Sequence, residues 1–332
     1  MQPFARWCVL FTTVFVVHAT ARDYQVFDVV GDSISAGVNP ECGGYGWVNM
    51  LFGESGCCLP ATTNALTNLW PAITRHNSAA GGSKARDWAW AQTNLMQTVS
   101  NHHPDLVVVF IGGNDGLEYA QDGVYTEAER EEYRTNLISI VQQLRNNNPI
   151  PDIVLVNYYD LFDGFSTNLP SPYEGYRVLS PAVTGGNAMI EGIAESNGCF
   201  FADIHSPFMH HAYGEALGDT QHLSPAYVRM PLTPSTFDIH PVTAGHAAIC
   251  EHIYRVLAEL KEIPKVTGIQ GADGQIMVHW RSGIGQSYVI RQSTDLRNGF
   301  SALVTNLGTP TRNTYTAAVE SAGRAFFRVE TP

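Results

Sequence analysis

The chain has 332 residues, 44% hydrophobic and 15% charged, so it can bury a large core and is too long for one minimal domain. Nineteen Lys and Arg stand against 31 Asp and Glu, a formal net charge of -12, which argues against nucleic acid and anionic membrane surfaces as partners. No phosphate-cradling loop, dinucleotide fingerprint or persuasive metal-ligand spacing appears, so the sequence implies no cofactor and no metal.

At the start, Met1 to Arg6 precedes an apolar stretch from Trp7 to Val17 and the small-x-small pattern Ala19-Thr20-Ala21. This predicts a signal peptide over residues 1–21 and a secreted or periplasmic protein. A membrane span would need about 20 apolar residues, and this run is shorter and meets polar sequence at once. Loss of the segment removes Arg6 and no acid, leaving 18 basic against 31 acidic side chains, a formal charge of -13. Cys8 leaves with it. The five cysteines that remain are Cys42, Cys57, Cys58, Cys199 and Cys250, an odd number, so at least one has no intrachain partner. Cys42 with Cys57 or Cys58 would close a short loop and Cys199 with Cys250 a long one, and sequence alone chooses neither.

Four near-continuous apolar runs follow along the chain: Tyr24–Val30, Asp105–Ile111, Asp152–Asn157 and Cys199–Asp203. Runs of that kind suit strands covered on both faces. Between them, apolar residues recur at three and four over 85–100, 126–146, 186–196 and 242–260, predicting helices. Such alternation predicts an α/β sandwich with a mainly parallel sheet, a main domain over 22–262. Residues 161–183 and 206–237 are rich in Pro, Gly, Tyr and His with little periodicity, and long excursions of this sort shape clefts. Beyond Pro264 the pattern becomes short β-like runs at 275–280, 287–291, 301–304, 314–318 and 325–330, with turn signals at Gly271–Gly274 and Asn298-Gly299. This predicts a second, all-β module over 265–332 that resembles the fibronectin-type-III-like appendages of exported enzymes. It is expected to act as a spacer or to contact polysaccharide or a cell surface.

Four short blocks carry the chemistry. They are Gly31-Asp32-Ser33 after the first apolar run, Asn77–Gly82, Gly112-Gly113-Asn114-Asp115, and Asp238-Ile239-His240-Pro241. A serine hydroxyl needs an imidazole to accept its proton, and the imidazole needs a group that fixes its tautomer. Ser33 is the candidate nucleophile, His240 the candidate base and Asp238 the nearest carboxylate. Ester attack also creates an oxyanion, for which the backbone N–H groups of Ser33 and Gly82 and the side-chain amide of Asn114 are candidate donors.

These blocks, in this order, resemble those of the SGNH or GDSL hydrolases over about residues 24 to 260. The resemblance implies a flavodoxin-like α/β/α sandwich with five parallel strands, with Ser33 as nucleophile and first oxyanion donor, Gly82 and Asn114 as further donors, and His240 as base. One position departs from the family pattern. The family's acid lies three residues before the histidine, where this chain has Phe237, whereas Asp238 lies two before. Either the loop is tighter and Asp238 still reaches His240, or a backbone carbonyl or another acid such as Asp203 orients the ring.

The leading expectation is an exported serine hydrolase that cleaves small-molecule or polymer-borne carboxylic esters through an acyl-enzyme. Its alternatives are a carbohydrate O-acetyl esterase acting on polysaccharide and a non-catalytic extracellular binding protein with a degenerate site. His205, His210, His211 and His222 cluster in one region without ligand spacing, and His246 and His252 read as surface or packing residues of the last helix. Trp88 and Trp90 read as core or cleft wall. Tyr158, Tyr159, Phe162 and Phe165 suit either an acyl or sugar pocket or plain packing.

Overall fold

Val26–Gly31 (β1) is a run apolar but for Asp28 that is buried at every position after Val26. A strand buried on both faces must be covered on both, and helices supply the cover. The computed structural model describes residues 23–56, 64–90, 93–169, 174–228, 238–261, 265–272, 275–281, 287–293, 301–307, 313–318 and 326–330. The predicted signal peptide and the Asn298-Gly299 turn lie outside these. Two compact units result, one of them Asp23–Lys261, the other holding the strands beyond Glu262.

In the larger unit β1 is followed by α1 (Trp47–Leu51), α2 (Leu66–Leu69), β2 (Thr74–Arg75), α3 (Ala85–Trp88), α4 (Asn94–His102), β3 (Leu106–Phe110), α5 (Gly113–Tyr119) and α6 (Glu127–Arg145). Then come β4 (Asp152–Val156), α7 (Leu179–Asn197), β5 (Phe200–Ala202), α8 (His205–Phe208), α9 (Gly214–Leu217) and α10 (Thr243–Leu260). The five strands are all parallel, in the order β2-β1-β3-β4-β5. This is the flavodoxin-like order, and β3 and β4 are buried along their whole length. Chain progression turns back between β1 and β3, so the loops at their carboxyl ends splay apart and open a crevice there. The blocks Gly31–Ser33 and Gly112–Asp115 leave the sheet at that point.

Local chemistry sets the helix limits. Thr126 accepts from the Glu129 N–H while Glu129 reaches back to the Thr126 N–H, a capping box that starts α6. One face of α6 then buries Tyr133, Leu137, Ile140, Val141 and Leu144 against β3, β4 and α7. Burying each such aliphatic side chain stabilises the fold by roughly 1.5–3 kcal/mol. α10 covers the other side, packing on α1 and β5.

Several expectations need correction. The predicted helix over 85–100 is two helices, because Thr93 caps a fresh start by accepting from the Met96 N–H. The helix expected from Gly186 begins at Leu179, since Pro181 is tolerated in a first turn and the Gly185-Gly186 pair hid the earlier periodicity. Strand β2 is two residues long, too short to leave a pattern. Trp88 is fully buried, whereas Trp90 is 60% exposed and lies on the surface. The Cys199–Cys250 bridge does not form. Both are buried free thiols, pushed up to about 12 by burial, and Cys199 packs in the apolar cluster under α6 and α7, of which Cys250 is not a member. Cys42 is in a disulfide whose partner lies outside the described residues.

The smaller unit holds two three-stranded antiparallel sheets. One, in the order β10-β7-β6, comprises β6 (Lys265–Ala272), β7 (Gln275–Arg281) and β10 (Asn313–Ala318). The other, β11-β8-β9, comprises β8 (Ser287–Ser293), β9 (Ser301–Leu307) and β11 (Phe326–Glu330). β6 was not expected, because its Gly268 and Gly271 break the alternation. It pairs with β7 through Ala272 opposite Gln275, and Asp273-Gly274 between them lies outside the described residues. Val278, Trp280, Tyr288, Ile290, Phe327 and Val329 form a core of this unit's own.

Candidate active site

Ser33 sits one residue beyond Asp32, in a tight turn closed by the Ala36 N–H to Asp32 carbonyl bond at 2.9 Å and the Val38 N–H to Ser33 carbonyl bond at 3.0 Å. The Asp32 side chain is buried. Its two oxygens accept from the Ile34 N–H at 3.0 Å and the Tyr158 hydroxyl at 2.8 Å. Burial pushes the Asp32 carboxyl up to about 6, against the weaker opposing effect of those hydrogen bonds.

Residues 77–83 lie along this turn. The Ala80 N–H and the Ser83 hydroxyl both donate to the Gly31 carbonyl, at 2.9 and 3.1 Å, and the Asn77 amide donates to the Ser35 carbonyl at 2.8 Å. Trp88 in turn donates its indole N–H to the Ser83 hydroxyl at 3.0 Å. Gly82 has φ +77, a conformation side chains disfavour, and a Cβ on Gly81 would come within 3.9 Å of the Ser33 Cβ. Among the described residues, neither the Ser33 N–H nor the Gly82 N–H has an acceptor within the protein.

Gly112 takes φ +134 at the end of β3, and a Cβ there would lie 2.3 Å from the Tyr133 hydroxyl, so only glycine fits. The turn it makes starts α5 and puts Asn114 beside the 77–83 loop, where one amide hydrogen goes to the Ser83 carbonyl at 3.0 Å. An amide has two such hydrogens, so one remains for a ligand. The neighbouring Asp115 points away. Both its oxygens accept from the Ala85 N–H, and burial pushes it up to about 6.

His240 arrives from the far end of the unit. Its Nε2 lies 2.8 Å from Ser33 Oγ, and its Nδ1 lies 2.5 Å from Asp238 Oδ1. The same Asp238 oxygen accepts from the His240 backbone N–H at 3.0 Å. A carboxylate bonding the backbone two residues on is an Asx turn, and that turn folds the His240 ring back over Asp238. This is how a two-residue spacing reaches the imidazole. Phe237 lies outside the described residues. The loop is held from behind by the Tyr213 hydroxyl on the Asp238 carbonyl and by the Tyr159 hydroxyl on the Ile239 carbonyl, the latter at 2.7 Å.

The alternative acid is elsewhere. Asp203 accepts from the Asn157 amide and from the His205 and Ser206 N–H groups at the start of α8, and it does not bond His240. Of the other histidines, His210 pairs with Asp219 at 2.8 Å and His211 donates to the Pro225 carbonyl and stacks on Tyr227. Among the described residues no group of three or more His, Cys, Asp or Glu could hold a metal ion. His246 is buried, accepting from the Trp47 N–H and bonding the Val38 carbonyl, and burial lowers it to about 4. The roles of Tyr158, Tyr159 and Tyr213 as hydroxyl donors to the site's loops left no mark in the sequence, because each acts through a partner more than 20 residues away. Phe162 packs beside Tyr213 in the interior.

No helix among the described residues is long and apolar enough to cross a membrane. No curated protein matches the chain. Among solved structures, the chain is similar to LAE5, an alpha/beta hydrolase enzyme from the metagenome of Lake Arreo, Spain, at 20% identity and a TM-score of 0.48, over 73% of this chain and 97% of that one. It is also similar to the acetyl xylan esterase AlAXEase, at 17% identity and 0.48 over 70% and 99%. A catalytic mutant of Axe2, an acetylxylan esterase from Geobacillus stearothermophilus, matches at 20% identity and 0.47 over 73% and 95%. The model of the GDSL-like Lipase/Acylhydrolase family matches residues 29–248. That span takes in the serine turn, the glycine and asparagine loops and the histidine alike, and with about two thirds of its length matched the chain belongs to the GDSL-like lipase/acylhydrolase family, as a serine carboxylic-ester hydrolase.

Proposed function

We propose that Ser33 attacks the ester carbonyl while His240 Nε2 takes its proton, giving an acyl-enzyme on Ser33 Oγ. The observation that carries this reading is the unbroken chain from Ser33 Oγ to His240 Nε2 at 2.8 Å and from His240 Nδ1 to Asp238 at 2.5 Å. An ionised carboxylate only accepts, so Nδ1 carries the ring proton and Nε2 is left with the lone pair that base catalysis requires. His240 then returns the proton to the leaving alcohol. In the second half of the cycle it takes a proton from water, which attacks the acyl carbon and frees Ser33.

The negative charge on the carbonyl oxygen is met by three donors: the N–H groups of Ser33 and Gly82, and the second amide hydrogen of Asn114. Their support is that the two backbone groups have no acceptor of their own among the described residues, and that Asn114 is already oriented by Ser83. The degenerate-site alternative loses its motive, since the shortened spacing still brings Asp238 to the ring.

Export to an oxidising compartment belongs to the same proposal. It rests on the apolar stretch before Ala21 and on the disulfide at Cys42. Contact with polysaccharide through the 265–332 module is part of it too, motivated by the export reading and by the presence of a β appendage.

Ser33→Ala tests the chemistry. It should abolish hydrolysis of a short aryl ester and covalent labelling by a fluorophosphonate, and unchanged activity in that variant would refute the assignment.

A further inference from the structure

We infer that the acyl part of the substrate lies in an apolar cavity between α5 and α7, and that the protein therefore prefers linear acyl groups of about four to six carbons to acetyl. The inference rests on the reading of Ser33 as nucleophile. The cavity has a volume of about 80 Å³, and its wall includes Ile34, Gly113 and Ile239. These are the immediate chain neighbours of Ser33, Asn114 and His240. Ser33, Asn114 and His240 are not themselves part of the wall, and the inference places the acyl chain of an ester held by them in this adjoining space.

The wall favours a hydrocarbon over a sugar. Most of its polar side chains are already engaged within the protein, the exceptions among the described residues being the hydroxyls of Tyr119 and Tyr125. Tyr133 donates to the Ile111 carbonyl at 2.8 Å, Tyr158 to Asp32 at 2.8 Å and Tyr159 to the Ile239 carbonyl at 2.7 Å. Asn187 exchanges both its bonds with the Tyr158 backbone, at 2.9 and 2.7 Å, and Asp115 is taken by the Ala85 N–H. A sugar placed here would give up its water for a mainly apolar wall, with only the Tyr119 and Tyr125 hydroxyls to bond its several hydroxyls. A methylene would lose nothing.

Small residues on α7 create the space. Ala182 and Gly186 lie four apart, on one face of the helix, and both line the cavity. A Cβ on Gly186 would meet no atom within 4 Å, although the residue is buried. Glycine in a helix interior is otherwise unfavourable, so a side chain is missing where one would both fit and stabilise the helix.

Size sets the chain length. An apolar cavity of about 150 Å³ accepts benzene, with its six carbons. At about 80 Å³ the present one holds about three carbons beyond the ester carbonyl, with room at the mouth for one or two more. Each methylene moved from water into it should raise kcat/KM about fourfold.

The test uses the full chain and p-nitrophenyl esters from acetate to dodecanoate. The expected profile rises about 15-fold from acetyl to butyryl, peaks by about hexanoyl and falls beyond. In Gly186→Leu the butyryl-to-acetyl ratio of kcat/KM should drop at least fivefold, and Ala182→Leu should move it the same way if the first variant folds poorly, with thermal melting followed for both. A wild-type profile highest at acetyl, or a ratio unmoved in two folded variants, overturns the acyl pocket while leaving Ser33 catalysis standing. Failure to hydrolyse any of the esters, with no fluorophosphonate labelling, overturns the underlying hydrolase assignment instead.

Discussion

One oxygen of Asp238 serves both the backbone N–H and the ring Nδ1 of His240, at 3.0 and 2.5 Å. The bond to the backbone shapes the turn, and the bond to the ring fixes the tautomer. Asp238→Ala removes both, leaving the turn without its backbone anchor and the ring with no carboxylate to fix its tautomer or to stabilise the imidazolium formed when Ser33 gives up its proton. We expect kcat to fall on the order of 10³–10⁴-fold with KM within a few-fold. Steady-state kinetics on a short aryl ester measure this, and a loss below tenfold would mean that another group orients the ring.

Asn114→Ala should lower kcat by about 10²–10³ through loss of one oxyanion donor. The nucleophile and base remain, so fluorophosphonate labelling should persist at a slower rate. The bond to the Ser83 carbonyl is also lost, and a melting curve on the variant separates local loosening from lost transition-state stabilisation. Full turnover in a folded variant would assign Asn114 to loop anchoring alone.

Asp32 predicts a stability effect whose sign follows from burial. In the folded protein its carboxyl keeps its proton up to about pH 6, whereas in the unfolded chain it releases it near 3.8. Between those values the folded state binds more protons, so this group's contribution to stability falls as pH rises from about 4 to 6 and stays lost above. At pH 7 the penalty is about 3 kcal/mol at most. Asp32→Asn removes the ionisation, so the variant should gain stability over the wild type as pH rises through this window, with the difference closing below pH 4. Urea unfolding at pH 4, 5, 6 and 7 reads it, and a gap that widens toward acid would contradict the burial argument.

Much of this was legible along the chain because it depends on local pattern. β1, β3 and β4 are near-continuous apolar runs, and the blocks around Ser33 and Asn114 follow β1 and β3 directly, so strand and site were found together there. The Asp238-x-His240 spacing left the acid open. The Asx turn brings Asp238 to the ring, and a turn of that kind depends on side-chain geometry that the residue order does not encode. β2 was hidden by its two-residue length, and the start of α7 by Pro181 and two glycines. One of those glycines, Gly186, lines the cavity together with Ala182, so what obscured the helix also bears on the proposed acyl preference.

Tyr213 offers a test of how the catalytic loop is held. Its hydroxyl donates to the Asp238 carbonyl, and it is not part of the cavity wall, so its removal leaves the acyl side untouched. A buried neutral hydrogen bond contributes about 1 kcal/mol, and losing it should let the Asp238–His240 turn leave its working position part of the time. Tyr213→Phe should therefore reduce kcat about fivefold at unchanged acyl preference. An unchanged kcat would mean that Tyr159 and the Val228–Pro241 bridge hold the loop alone.

Truncation after Pro264 asks whether the β module takes part in the chemistry. Ser33, Gly82, Asn114, Asp238 and His240 all lie in the unit Asp23–Lys261, and so does the whole cavity wall. That unit closes on itself at its carboxyl end, where α10 packs on α1 and the Lys261 ammonium donates to the Leu69 carbonyl at 2.6 Å. The module has a core of its own around Trp280 and Tyr288. The truncated chain should hydrolyse small esters within a few-fold of the full chain, and any loss should be confined to polymer-borne substrates. Complete loss of small-ester turnover in a truncated protein that still melts cooperatively would show that the module completes the cleft.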